Sequence, residues 1–191
     1  LCVEILGSDF SMKEVFENLF AGVALMESKG HKIQSMVLPF LATGHQRLAP
    51  KKVIKDLLPP AIAALEAGIH TLLEKPCTDD LDQARELFDL ADKKNLTLHI
   101  GHVERFNGAV QELFKIVKDP IYLECRRMSP FSARIKDDGV VLDVMIHDID
   151  IILSLIQSDV VNVNVVGSSV FSGRDDLINA QIEFKNGCIA N

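Results

Sequence analysis

The chain has 191 residues, of which 48% are hydrophobic, and its 27 acidic and 20 basic residues give a formal net charge of −7. This length and apolar share suffice for a real hydrophobic core and argue against a disordered chain. The acidic balance argues against broad nucleic-acid binding, although a few local arginines can still hold a small anion. The four cysteines are far apart and form no CxxC pair, which favours small buried side chains in a reducing compartment.

The amino-terminal part of the chain carries weak signals. A short strand is predicted over 3–7, and a helix is predicted from an N-cap at Ser11 to a stop near Gly30. The apolar stretch 33–41 predicts a buried strand, and the polar stretch 44–52 predicts a loop.

From Pro59 onward the pattern becomes regular. Pro59 and Pro60 favour the start of a helix, and Gly68 favours its end. Thr78 or Asp79 is expected to cap a second helix. Helices and short apolar strands alternate, with a helix over 61–67, a strand over 69–73, a helix over 81–91 and a strand over 96–100. This order is one βαβ unit, so its two strands are expected to be parallel and its crossover right-handed.

Beyond residue 100 the chain becomes richer in strands. The predicted elements are a helix over 108–117, a strand over 121–128, a helix over 140–156 and strands over 160–170 and 178–184. Asp119 and Pro120 end the first of these helices. We therefore expect a boundary there, with a first domain over 1–119 and a second over 120–191.

Two predicted strands end in polar loops. Lys75 follows the strand 69–73, and His102 follows its predicted partner 96–100. Ligands of open parallel sheets bind beyond the carboxyl ends of the strands. The pattern alone therefore predicts a polar rim there.

The apolar helix 140–156 carries Asp143 and His147 four residues apart. Residues with this spacing share a helix face, so both side chains can point into one site. A lysine, a histidine and an aspartate are the groups needed for acid–base chemistry on an alcohol or a carbonyl. Asp148 and Asp150 are expected to point away from His147.

Basic residues cluster around the loop before this helix, at Arg126, Arg127, Arg134 and Lys136. They form either a solvated basic face or an anion pocket, because arginine binds phosphate and carboxylate groups bidentately. The spacing of His102, Glu104, Asp143 and His147 matches no metal-binding motif, so no metal site is predicted.

Four segments together resemble one known family. They are Glu74-Lys75-Pro76, the loop Gly101-His102-Val103-Glu104-Arg105-Phe106-Asn107, the motif Asp143-x-x-x-His147-Asp148-Ile149-Asp150, and the stretch 179–187. In this order and spacing they are similar to motifs of the glucose-fructose oxidoreductase/inositol dehydrogenase/MocA (Gfo/Idh/MocA) family. The resemblance covers about 60–191.

The resemblance implies an α/β fold, in which a partial Rossmann-like parallel sheet precedes an incomplete α/β substrate domain with an open, mostly antiparallel sheet. It implies an NAD(P)-dependent oxidoreductase that transfers hydride at a secondary alcohol carbon of a sugar or nucleotide sugar. Loop sequences near Arg127 and Asp143 look most like members that act on UDP-amino sugars. The implied cofactor is NAD or NADP, and the implied assembly is a homo-oligomer, either a dimer or a tetramer.

The resemblance also assigns roles to residues. The implied catalytic residues are Lys75, Asp143 and His147. The implied cofactor-binding residues are Glu74, Lys75, Pro76, His102 and Arg105. The implied substrate-binding residues are Arg127, Arg134 and Asp143.

An alternative is an inactive or truncated homologue that binds no dinucleotide and acts only as a scaffold or interaction module. It is favoured by the absence of any G-x-G triplet, since this family begins with a glycine-rich turn. The terminal residues Leu1 and Asn191 suggest that parts of the chain are missing at both ends. With no apolar run of membrane length and no leader, we expect a soluble, cytoplasmic protein with neither nucleic-acid nor membrane partners.

Overall fold

The computed structural model describes residues 12–38, 50–130 and 139–191. The chain divides into two compact units, Leu1–Gly101 and His102–Asn191. The boundary predicted from sequence lies later, between residues 119 and 120. The assignment of 1–119 to the dinucleotide and of 120–191 to the substrate stays a prediction.

Unit 1 alternates helices with short parallel strands. Its described elements are helices α1 (Met12–Ser28), α2 (Pro50–Glu66) and α3 (Leu81–Lys93) and strands β1 (Ser35–Leu38), β2 (His70–Leu73) and β3 (Leu98–Ile100). The sheet has the order β1-β2-β3, and both of its strand pairs are parallel. This arrangement confirms the predicted βαβ unit and the Rossmann-like part of the fold class.

The core of unit 1 is organised by α2. Leu57, Ala61, Ala64 and Leu65 are buried, and their spacing of four, three and one residues places them on one face of a helix. They pack in one cluster with residues of the other elements, including Leu73, Leu87 and Ala91. The helices of unit 1 therefore cover the apolar face of the sheet, as expected for alternating helices and strands.

The predicted start of this helix at Pro59 is wrong. Both Pro59 and Pro60 lie inside α2, which begins at Pro50. A proline cannot donate the backbone hydrogen bond to the carbonyl four residues earlier, so local preference favours a break. The buried side chains of Leu57 and Ala61 lie on either side of the prolines, and their tertiary packing favours a continuous helix.

The cap of α3 also differs from the prediction. Asp80, rather than Thr78 or Asp79, occupies the N-cap position, and its side chain accepts hydrogen bonds from the N–H groups of Asp82 and Gln83 at 2.9 and 3.1 Å. The hydroxyl of Thr78 instead accepts from the N–H of Asp80. The prediction erred by one or two residues because several adjacent side chains are competent caps.

Unit 2 combines helices with a mixed sheet. Its described elements are a 3₁₀ turn (Val103–Phe106), helices α4 (Gly108–Ile116) and α5 (Ile146–Leu155), a π-helical segment (Val141–Met145) and strands β4 (Tyr122–Leu123), β5 (Val160–Ser168), β6 (Leu177–Phe184) and β7 (Ile189–Ala190). The sheet order is β4-β7-β6-β5, in which β4 and β7 are parallel and the other pairs antiparallel. The predicted fold class is thereby confirmed.

Two predicted elements of unit 2 need correction. Of the strand predicted over 121–128, only Tyr122–Leu123 forms a strand. The helix predicted over 140–156 contains the π-helical segment Val141–Met145 in its first part. The spacing of apolar residues does not predict this change in hydrogen-bond pattern, because a π-helical turn differs from an α-helical turn by only one residue.

Some expectations lie outside the described residues. They are the strand over 3–7, the cap at Ser11 and most of the loop over 44–52. Within the described ranges, no helix combines the length and apolar character needed to cross a membrane.

We expect Leu65→Ala to destabilise unit 1 by about 2–5 kcal/mol, because Leu65 is fully buried and the substitution leaves a cavity. Leu81→Ala is the matched control, since the side chain of Leu81 is 65% exposed and its loss is expected to cost less than about 0.5 kcal/mol. Urea unfolding followed by far-UV circular dichroism measures both. Equal stabilities of the two variants would contradict the described core.

Candidate active site

In unit 1 a polar rim forms where β2 and β3 end. The parallel register pairs Leu73 with Ile100, and the N–H of Gly101 donates to the carbonyl of Leu73 at 2.8 Å. Glu74, the residue that follows β2, therefore lies beside Gly101. A β-carbon placed on Gly101 would lie 3.0 Å from Oε2 of Glu74, so the glycine leaves the space that this carboxylate occupies.

Lys75 and Pro76 follow directly at the same rim. Lys75 is half-buried and Pro76 is buried, and the peptide bond that joins them is cis. The sequence prediction that the Glu74-Lys75-Pro76 segment lies past the end of a parallel strand is thereby confirmed. Whether these residues contact a cofactor stays a prediction.

In unit 2 Asp143 and His147 lie where the π-helical segment continues into α5. The N–H of Ile146 donates to the carbonyl of Val141, five residues earlier, which widens this turn by one residue. A spacing of four residues still amounts to about one turn, and both side chains are half-buried. Single π-helical turns inside α-helices occur frequently at functional sites.

Asp150, three residues after His147 in α5, is held by a bidentate ion pair. Arg105 donates from Nε and Nη2 to the two carboxylate oxygens of Asp150 at 2.6 and 2.5 Å. Nε2 of His102 lies 4.0 Å from Oδ1 of the same carboxylate. The hydrogen bond to Asp150 raises the pKa of Arg105 above its ordinary value, while desolvation opposes that change.

The expected orientation of Asp150 is wrong. It was predicted to point away from His147, yet it follows His147 by three residues within α5, and such residues are neighbours on a helix surface. It is also buried rather than exposed. A buried carboxylate needs a partner, and Arg105 supplies one from 45 residues away.

The predicted substrate-binding Arg127 is paired with Asp148. Its Nε lies 3.1–3.2 Å from the two oxygens of Asp148, and its Nη2 lies 2.8 Å from Oδ1. The hydrogen bond to Asp148 raises the pKa of Arg127 above its ordinary value, and desolvation opposes that change. The positive charge of Arg127 is therefore offset within unit 2. The other predicted substrate-binding arginine, Arg134, lies outside the described residues.

A cavity of about 780 Å³ adjoins this arginine. Its walls are mostly apolar, with Met128, Val144, Val166 and Phe171 among the lining residues. Volume and lining are within the range of small-molecule sites. Arg126, which also lines it, is exposed and paired with Glu124 at 2.8 Å.

Two polar side chains with structural roles were missed from sequence. Asn107 caps α4, because its side chain accepts from the N–H of Ala109 at 3.0 Å. The signal for it was present, since asparagine directly before a helix is a preferred cap. Asp176 accepts from the N–H groups of Val170, Phe171 and Ser172 at 2.7–2.8 Å. Desolvation raises the pKa of Asp176, but these hydrogen bonds outweigh it and lower that pKa below the ordinary value.

Two protein-family models match the chain. The model described as an oxidoreductase family with an NAD-binding Rossmann fold matches residues 59–102, and the GFO/IDH/MocA C-terminal domain matches residues 99–191. The chain belongs to the Gfo/Idh/MocA family. The resemblance stated from the four sequence segments is thereby confirmed.

Individual similar proteins show how much of a longer chain these 191 residues cover. UDP-N-acetylglucosamine 3-dehydrogenase from Acidithiobacillus ferrooxidans is 39% identical over 132 residues, which are 69% of this chain and 42% of that protein. A solved structure of that enzyme has a TM-score of 0.68 at 34% identity and covers 82% of this chain and 48% of its own. Myo-inositol 2-dehydrogenase from Lactobacillus plantarum shares the fold, with a TM-score of 0.65 at 19% identity over 87% of this chain and 51% of its own. The chain spans about half the length of these relatives.

We expect Arg105→Ala to destabilise unit 2 by about 1–3 kcal/mol, because it leaves the buried carboxylate of Asp150 without its bidentate partner. The estimate stays below the range for fully buried pairs because the Arg105 side chain is partly exposed. The chain has one tyrosine, Tyr122 in β4, and no tryptophan. Tyrosine fluorescence during urea unfolding therefore reports on unit 2.

Arg126→Ala is the control for this prediction, because Arg126 forms an exposed ion pair with Glu124. Its cost is expected to stay below about 0.5 kcal/mol. The double variant Arg105→Ala/Asp150→Asn is expected to lose less stability than the sum of its single variants. Strict additivity would show that the two side chains do not interact.

Proposed function

We propose that this chain belongs to an NAD(P)-dependent oxidoreductase that transfers hydride at a secondary alcohol carbon of a sugar or nucleotide sugar. The observation that carries the proposal is the position of Glu74, Lys75 and Pro76 in unit 1. They follow β2 at the carboxyl edge of a parallel sheet, with Glu74 against Gly101. Ligands of open α/β sheets bind at this edge.

The strand-end residues of unit 1 support a contact with one end of a dinucleotide. The proposed contacts are Glu74, Lys75 and Pro76 in unit 1 and His102 and Arg105 in unit 2. A half-buried lysine and a carboxylate at a strand end suit the polar edge of a nicotinamide ring. For the pyrophosphate, the sequence contains no G-x-G turn, so the usual backbone cradle is missing from these 191 residues. The fit is therefore to the nicotinamide end alone.

The bound cofactor would supply the hydride acceptor or donor. His147 is proposed to take the proton that the substrate hydroxyl loses, because an imidazole titrates near neutral pH. The ammonium group of Lys75 is proposed to stabilise negative charge on the reacting oxygen. Asp143 is proposed to orient His147 or a neighbouring substrate hydroxyl.

The proposed substrate class is a UDP-amino sugar. It is supported by the 39% identity to UDP-N-acetylglucosamine 3-dehydrogenase. Arg127 is proposed to contact the substrate. Its ion pair with Asp148 partly offsets its positive charge, so its attraction for an anionic substrate is reduced. Arg134 keeps its predicted substrate-binding role as a proposal. The protein is further proposed to be a homo-oligomer.

A second candidate is a homologue that binds no dinucleotide and serves as a scaffold or interaction module. The absence of a G-x-G triplet favours it. The two candidates differ in a property that is simple to measure, which is the affinity of this chain for NAD(H) and NADP(H).

If the oxidoreductase proposal holds, NADH or NADPH fluorescence is expected to change saturably on titration with the chain. The chain has no tryptophan, so the reduced nicotinamide can be observed without that background. Gly101→Ala is expected to weaken binding, because its new β-carbon meets the carboxylate of Glu74 and displaces it. Gly173→Ala serves as the control, since nothing lies within 4 Å of a β-carbon there. No binding of either cofactor would favour the scaffold.

Lys75→Met and His147→Ala are each expected to lower turnover of UDP-N-acetylglucosamine with NAD or NADP by about 10²–10⁴-fold, the usual contribution of a positioned proton-transfer or charge-stabilising group. Lys93→Met and His31→Ala are matched controls at exposed positions and are expected to retain full turnover. Product is measured by absorbance of the reduced cofactor. A fully active Lys75 or His147 variant would refute the role of that residue.

A further inference from the structure

One buried carboxylate of unit 2, that of Asp150, lies next to residues that are proposed to bind the cofactor. Within the described ranges, the buried polar or charged residues are Thr71 and Asp150, so Asp150 is the one buried charge there. Replacing a buried ion pair by apolar residues of similar volume is often neutral or stabilising. Stability alone is therefore a weak reason for a carboxylate at this position, and its contacts indicate a second reason.

Asp150 contacts both residues of unit 2 that are proposed to bind the dinucleotide. Its carboxylate accepts from Nε and Nη2 of Arg105 at 2.6 and 2.5 Å, and its Oδ1 also lies 4.0 Å from Nε2 of His102. His102 directly precedes the 3₁₀ turn, and its carbonyl accepts from the N–H of Arg105 at 3.2 Å. Residues three apart in a 3₁₀ helix lie one above the other, which is why one carboxylate can reach both side chains.

The bidentate pair fixes the orientation of Arg105 without engaging all of its donors. A guanidinium has five N–H donors, and Asp150 is bound through Nε and Nη2, which form one edge of the group. The donors of Nη1 are not engaged by Asp150. The Arg105 side chain is 42% exposed, whereas that of Asp150 is 9% exposed. The other edge of the guanidinium can therefore meet acceptor oxygens of a ligand while Asp150 stays buried.

We propose that Asp150 is a positioning residue for the dinucleotide and acts through Arg105 and His102. Its carboxylate holds both side chains on one side of the 3₁₀ turn, so that the guanidinium and the imidazole meet the ligand in a fixed orientation. The entropy cost of ordering these side chains is then met on folding and not on binding, which raises the affinity. This inference rests on the proposed oxidoreductase function.

Asp150→Asn tests the positioning role by cofactor affinity. Asparagine keeps the size of the side chain but offers Arg105 one acceptor oxygen and no negative charge. The dissociation constant of NADH or NADPH, measured by nicotinamide fluorescence, is expected to rise at least about fivefold. Asp159→Asn is the matched control, because the Asp159 side chain is 81% exposed and lies 3.7 Å from Lys185. This control changes the net charge equally and is expected to bind as tightly as the unchanged chain.

Arg105→Lys separates positioning from stability. A lysine ammonium still gives Asp150 a cationic partner, but it lacks the planar fork that binds both carboxylate oxygens. This variant is therefore expected to resist urea better than Arg105→Ala while binding the cofactor as weakly as Asp150→Asn. Because the buried carboxylate keeps a partner, the variant decides the proposal even where Asp150→Asn fails to fold. Normal cofactor affinity of Arg105→Lys would show that orientation is unimportant and would overturn the proposal.

A double-variant cycle on cofactor affinity tests whether Asp150 acts through Arg105. If it does, Asp150→Asn weakens binding less in the background of Arg105→Lys than in the unchanged chain. Strictly additive losses would show that Asp150 affects binding by another route, and the proposal would be wrong. All affinities are measured at a temperature at which circular dichroism shows each variant to be folded, so that unfolding does not imitate weak binding.

The results also distinguish this inference from the function on which it rests. If the unchanged chain binds neither NADH nor NADPH, the proposed function fails and the inference fails with it. If the unchanged chain binds a cofactor and Asp150→Asn binds it equally tightly, the oxidoreductase proposal stands and only the positioning role of Asp150 is refuted. Weaker binding by Asp150→Asn, with normal binding by Asp159→Asn, supports both.

Discussion

The bidentate ion pair of Arg105 and Asp150 connects two segments of unit 2 that carry candidate site residues. It joins the segment that follows β3 to helix α5 across 45 residues of sequence. Because Asp150 is buried, its charge is tolerable only with a cation in hydrogen-bonding contact. Two of the four segments by which the family was recognised are therefore physically connected: 101–107 contributes the arginine, and the motif around His147 contributes the carboxylate.

This connection changes how the charged residues of the motif are understood. Arg105 and Arg127 both resemble ligand-binding arginines in sequence, yet each is held by an aspartate of α5. An arginine fixed in this way loses part of its attraction for an anion but gains a defined orientation. In unit 1 the corresponding constraint is the parallel register of β2 and β3, which brings Glu74 against Gly101.

The sheet of unit 2 shows how one set of residues serves both the fold and the surface. Residues of β6 and β7, including Ile182, Phe184 and Ala190, form its core with α5. The valines of β5 continue the same pattern outward, but less of their surface is covered. In the described part of unit 2, β5 pairs with β6 on one side only, and its valines are only partly covered. Apolar surface and backbone groups are therefore exposed along this strand.

Periodicity in the sequence was sufficient for the parallel βαβ unit and the strand-end position of Lys75, because the spacing of residues close together in sequence directly reflects helix or strand geometry. The family, and with it the fold class, was recognised from the resemblance of four motifs in order along the chain. Tertiary structure alone decided that α2 continues through Pro59 and Pro60, that a π-helical turn precedes His147, and that Asp150 is buried against Arg105. The physical reason is that packing across a core and ion pairs between distant segments outweigh local preferences of about 1–3 kcal/mol.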